Sequence, residues 1–137
     1  MAYKHAAITD KIIGAFYHVY HALGYGFLEK VYENALAFEL RKRGLAVVQQ
    51  PAIKIRYDDH VVGEYFGDLL VEGCVLVEMK AVGALLPEHE AQLLNCLRGS
   101  DVDVGLLLNA GPVPEIKRKV YDTARNKQNA VDMASTL

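Results

Sequence analysis

The chain has 137 residues, enough for one domain with a substantial core and too few for a second. Hydrophobic residues make up 52% and charged residues 23%, a globular balance that excludes a disordered chain. A net charge of −2 gives no global attraction to a polyanion, so a polyanionic partner has to be held by local patches or by metal.

No apolar run approaches the ~20 residues that span a membrane, and Met1 to His5 lack a signal-peptide core. Cys74 and Cys96 sit in apolar segments without metal-ligand spacing and read as reduced core thiols. The expectation is a cytoplasmic protein with no membrane partner, a single domain over 1–137 with its core at about 8–121.

Residues 8–23 carry apolar positions at 12, 13, 16, 19, 20 and 23, a helical stripe that Thr9 or Asp10 can cap and Gly24 stops. A second helix is predicted from about 27 to 43, with Leu28, Val31, Tyr32, Ala35, Leu36 and Leu40 inward and a stop at Gly44. Strand-like runs follow at 45–49, 52–57 and 61–66, with a polar turn at 58–60. A hairpin spans Asp68 to Lys80. Pro87 then introduces a helix over about 88–99, whose apolar side is Ala91, Leu93, Leu94 and Leu97. Val104 to Leu108 is almost purely apolar, as in a sheet covered on both faces. From Pro114 a basic tail should form a last strand or helix that frays near Ser135. This order predicts a three-layer α/β domain with a mixed β-sheet flanked by helices.

The most informative stretch runs from Gly67 to Ala81, two apolar strands folded about Glu72 and Gly73 with acids where a core strand should have none. A hairpin centred on Gly73 pairs Leu69 with Val77 and Leu70 with Leu76, and sets Asp68 opposite Glu78. Cross-strand neighbours have Cβ atoms about 4.5–5.5 Å apart, where like charges repel. A divalent cation with oxygen ligands offsets such a pair. Lys80 shares the strand face of Glu78 because side chains alternate. This register needs a three-residue connection; a two-residue one puts the two acids on opposite faces. Solvated charges at a hairpin end are the plainer reading of the same residues.

Two carboxylates and a lysine around a hard cation suit phosphodiester hydrolysis. The spacing Asp68-x9-Glu78-x-Lys80 resembles the core motif of the PD-(D/E)XK nuclease superfamily. Gly26 to Tyr32 fits Gly-x-x-Glu-x-x-Tyr, and from about Ile12 to Gly111 the chain is similar to the small bacterial family named for it, the GxxExxY proteins. The residues that carry the likeness are Glu29, Tyr32, Asp68, Glu78, Lys80, Gln92, Asn95 and Asn109, with their neighbours. The resemblance implies a Mg²⁺- or Mn²⁺-dependent nuclease acting on DNA or RNA. It makes Asp68, Glu78 and Glu29 the metal acids, and Lys80 the catalytic lysine. It also places Gln92 and Tyr32 at the site, and implies a homodimer, since one site cuts one strand.

Each assignment has a structural counterpart. Glu29 can be a first-turn glutamate favoured by the helix dipole, with Lys30 and Glu33 ordinary surface charges beside it. Tyr32 can be a core aromatic with its hydroxyl bonded at the rim, and Gln92 a satisfied amide. Tyr20, Tyr25, Cys96 and Ala110 depart from the family pattern. Arg41 to Arg43 and Lys117 to Lys119 are basic clusters able to hold phosphates, and no aromatics interleave with them. The near-neutral charge leaves two alternatives: a nuclease that needs a partner protein for substrate delivery, or a non-catalytic nucleic-acid- or protein-binding module that keeps the fold.

Overall fold

The computed structural model describes residues 4–121. Helices α1 (Ala6–Leu23) and α2 (Glu29–Lys42) come first, followed by strands β1 (Val47–Gln49), β2 (Ala52–Tyr57), β3 (His60–Phe66), β4 (Leu69–Val71) and β5 (Val75–Lys80). Helix α3 (Pro87–Arg98) leads to β6 (Val104–Ala110) and β7 (Pro114–Val120). The main sheet has five strands in the order β1-β4-β5-β6-β7, antiparallel except for the parallel β5–β6 pair. A parallel pair needs a crossover, and α3 supplies it.

The side-chain alternation of β5 divides the core into two layers. Val75, Val77 and Met79 face α1 and α2, packing with Phe16, Tyr32, Leu36 and Leu40. Leu76 faces the other way, into a cluster with Leu93, Cys96 and Leu97 of α3 and Ile53 of β2. The protein is thus the expected three-layer α/β domain. β6, between β5 and β7, is buried along its whole length, which is why its sequence is apolar without alternation.

Two details differ from the sequence reading. Strands β2 and β3 form a separate two-stranded ribbon, anchored by Ile53 and Ile55 on the α3 side, and β3 is exposed over nearly all its length. Leu28 precedes α2 in an extended conformation and is 81% exposed. The buried face of α2 is therefore turned toward Tyr32, Glu33, Leu36, Ala37, Glu39 and Leu40. Lys117, Arg118 and Lys119 lie in β7, the last strand expected from Pro114, while Arg125, Lys127 and Ser135 lie outside the described residues.

Candidate metal and catalytic site

The hairpin between β4 and β5 closes with Val71 opposite Val75, so Glu72, Gly73 and Cys74 form a three-residue connection. Glu72 and Gly73 adopt φ 53° and 66°, a left-handed pair in which a glycine removes the steric cost at one position. This turn fixes the register Leu69–Val77 and Leu70–Leu76, the one that carries the site. One step further out, the Asp68 backbone lies near the Glu78 carboxylate. Asp68 Oδ2 accepts the Met79 N–H at 2.6 Å. Asp68 is thus tied to the strand that carries Glu78.

Their environment resists two negative charges. Asp68 is only 9% exposed, and burial pushes its pKa up to about 6, with the charges of Glu33 and Glu29 adding to the effect and the Met79 N–H opposing it. Burial likewise pushes Glu78 up to about 8, Asp68 and Glu29 adding and Lys80 opposing. Glu78 Oε1 is buried without a hydrogen-bond partner. An orphaned carboxylate oxygen between repelling acids is costly unless a cation or a proton reaches it.

Gly67 leaves room at this point, since a Cβ there would lie 2.8 Å from Leu76 Cδ1 and 3.3 Å from Glu78 Oε1. On the α3 side Glu78 and Lys80 line a cavity of about 230 Å³ together with Gln92, Cys96, Tyr65 and Phe66. Gln92 is an exposed residue of α3 at this cavity rather than a buried core amide. Burial pushes the Cys96 thiol up to about 11, with Glu78 adding to it, so it stays protonated and serves as packing. Among the described residues, no three His, Cys, Asp or Glu side chains are grouped to hold a metal by themselves.

Two residues unforeseen as site components support this geometry. Glu33 is 2% exposed, not a surface charge; it accepts hydrogen bonds from Lys30 Nζ at 2.7 Å, Gln49 Nε2 at 2.9 Å and Gln50 Nε2 at 2.7 Å, and lies within hydrogen-bonding reach of Asp68. Asn109, level with Lys80 on β6, clamps Val82 from both sides, accepting its N–H at 2.9 Å and donating to its carbonyl at 3.0 Å. The clamp fixes the chain just beyond Lys80.

Glu29 begins α2, exposed, and its charge reaches both Asp68 and Glu78. Tyr32 is fully buried, and its hydroxyl donates to the Gly24 carbonyl at 2.6 Å and accepts the Phe27 N–H at 3.3 Å. It therefore staples the turn that presents Glu29. Tyr32→Phe should cost about 1 kcal/mol of stability and loosen that turn, as a thermal melt and proteolysis between residues 24 and 28 would register. Tyr20 pins the β6–β7 connection in the same way, donating to the Gly111 carbonyl at 2.6 Å.

Residues 6–120 match the family model for the PD-(D/E)XK nuclease superfamily. The chain belongs to that superfamily. Comparison with curated proteins finds no match. Among solved structures, the fold is similar to the crystal structure of an alkaline exonuclease (LHK-Exo) from Laribacter hongkongensis, with a TM-score of 0.52 at 14% identity. The similarity covers 77% of this chain and 62% of the exonuclease, so the chain spans less than two thirds of that enzyme. A PD-(D/E)XK nuclease-like core is thus common to the sequence match and the fold. Glu78-Met79-Lys80 has the E-x-K order of the superfamily's name, and Asp68 stands ten residues before Glu78.

The residues present fit a hard divalent cation. The donors are carboxylate oxygens, one of them orphaned, and their burial, with the neighbouring acids adding, disfavours their charged forms unless a cation is at hand. Mg²⁺ takes one or two protein carboxylates and fills its remaining positions with water and substrate phosphate, so a two-acid site suits it without a full protein cage.

Proposed function

We propose that this protein is a Mg²⁺- or Mn²⁺-dependent nuclease that hydrolyses phosphodiester bonds of DNA or RNA. The observation that carries the reading is the convergence of Asp68, Glu78 and Lys80 on one hairpin end, with Glu78 Oε1 unsatisfied. Asp68 and Glu78 would hold the cation, with Glu29 contributing charge from the start of α2. When bound, a divalent cation supplies Lewis-acid polarisation of a phosphoryl oxygen and lowers the pKa of a nearby water.

The other roles belong to side chains. Lys80, on the same strand face as Glu78, is placed to orient the attacking water or to stabilise negative charge developing on the phosphoryl group. Gln92, on the opposite wall of the cavity, can donate to a phosphate oxygen. The Met79 N–H holds the Asp68 carboxylate in place, so it need not reorganise when substrate arrives.

The test is cleavage of labelled DNA and RNA, single-stranded and duplex, with Mg²⁺, Mn²⁺ or EDTA. Cleavage in either metal that stops in EDTA is expected. Strand binding without cleavage under every condition would instead support a non-catalytic nucleic-acid-binding module.

A further inference from the structure

The site cavity adjoins a larger one. Tyr65 and Asn95 line both, and the second, of about 910 Å³, runs between the β2–β3 ribbon and the C-terminal half of α3. Three cations border it: Lys54 and Arg56 from β2, and Arg98 from the last turn of α3. Each lacks an ion pair among the described residues, and the Arg98 guanidinium rests over the Tyr121 ring at 5.4 Å. A guanidinium stacked in this way keeps its N–H edges available in the ring plane.

The two basic runs of the sequence differ. Arg41 donates to the Val47 carbonyl at 3.0 Å, and Arg43 and Lys42 engage Glu39 at 2.7 Å and 3.7 Å. Lys119 pairs with Glu90 at 2.6 Å. Protein groups already engage those cations, whereas the ones beside the groove remain available for phosphate.

Aromatic surface stands at the junction. Tyr65 and Phe66, 53% and 57% exposed, lie at the end of β3 and both line the site cavity. The sequence separates them from the basic residues, and the ribbon brings them alongside. Exposed rings beside a cationic groove form a stacking platform for unpaired bases. Paired bases in a duplex turn their faces to one another and offer none.

We propose that this groove binds single-stranded nucleic acid, with phosphates on Lys54, Arg56 and Arg98 and bases against Tyr65 and Phe66, and leads the strand to the Glu78–Lys80 cavity. Delivery to Lys80 rests on the nuclease reading above; binding in the groove is separable from it.

The experiment is fluorescence anisotropy in EDTA, using labelled oligodeoxythymidylate and oligouridylate of about twelve nucleotides and a duplex of equal length. Single strands should bind at least tenfold more tightly than duplex, with a log–log salt slope near −2, about 0.7 for each of three phosphate contacts. Lys54→Gln/Arg56→Gln should flatten the slope to about −0.7. Tyr65→Ala should weaken binding roughly tenfold and leave the slope unchanged. All of these side chains are exposed, and thermal melts should match the wild type.

Equal affinity for duplex, an unchanged slope in the double variant, or a wild-type dimer that Tyr65→Ala dissociates would overturn the groove; the last outcome would mark β3 as a contact between copies. Preference between the two oligonucleotides would identify the natural strand. A wild type that binds single strands and never cleaves leaves the groove standing and removes the nuclease. Cleavage with every groove variant unaffected does the reverse.

Discussion

Lys80→Ala should lower nucleic-acid cleavage by on the order of 10³-fold while Mg²⁺ binding persists, whereas Asp68→Asn should lose both. The two substitutions act on different parts of one site. Asp68 supplies a carboxylate oxygen beside Glu78, and removing its charge takes away half of the anionic pair that would draw a cation in. Lys80 supplies no metal ligand. Its charge reaches Glu78 and its side chain lines the cavity, so under the proposed function its loss would remove transition-state stabilisation and leave the acids in place. Removing one pre-positioned charged donor typically costs about 2.7–4 kcal/mol of activation free energy, which sets the expected size. Equal loss of metal affinity in both variants would mean that Lys80 only shapes the acid pair.

The second large effect is on stability. Without metal, the folded protein should become less stable as pH rises from about 4.5 to 8, the opposite of the usual acid-side loss. Asp68 and Glu78 have folded pKa values raised from 3.8 to about 6 and from 4.5 to about 8, mainly by burial. Across that window the folded state retains protons that the unfolded chain has released, so stability falls with rising pH. It is fully present below the unfolded values and lost as the folded groups ionise.

Glu39 and Glu90, held below the ordinary range by Arg43 and Lys119, oppose the trend only at its acid end, where the unfolded glutamates still hold protons. Glu78→Gln keeps the shape and removes the charge. At about pH 8 without metal it should stabilise the protein by on the order of 2 kcal/mol, and near pH 5 by almost nothing. Mg²⁺ should raise the wild-type Tm more at pH 8 than at pH 5 and have little effect on Glu78→Gln. Thermal melts at the two pH values, with and without the cation, give all of these comparisons. A wild-type Tm that climbs with pH in EDTA would contradict the buried-acid account.

What the sequence made legible follows from local rules. The hairpin register was readable because Glu72 and Gly73 constrain the turn and a one-residue slip would expose the apolar face of β5. The unbroken apolar run of β6 announced a strand covered on both sides, and Pro87 announced the start of α3. Glu33 was not readable in this way. One turn after Glu29, it has the pattern of a surface glutamate, and what buries it is the pair of amides from Gln49 and Gln50, brought over by β1 and its edge. The facing of α2 went with it, since Leu28 looked like a core residue until the extended chain at the helix start turned it outward.

The groove was hidden for the same reason. Lys54, Arg56, Tyr65 and Arg98 are scattered in sequence, and the separate β2–β3 ribbon, which no periodicity distinguishes from the main sheet, places them along one wall. Tyr32 and Asn109 have motif positions, yet the hydrogen bonds of both go to backbone groups of adjoining turns. Their contribution is to hold Glu29 and Lys80 where the acids meet.

The central claim is that Asp68 and Glu78 form a cation site serving hydrolysis at Lys80. Its most direct test is calorimetric titration of Mg²⁺ at about pH 8 into wild type and Asp68→Asn, with cleavage followed on the same samples. Wild type should bind one Mg²⁺ with release of protons from the acid pair and should cleave, and Asp68→Asn should do neither. Cleavage by the wild type with no metal bound at these residues, or undiminished Mg²⁺ binding by Asp68→Asn, would contradict it.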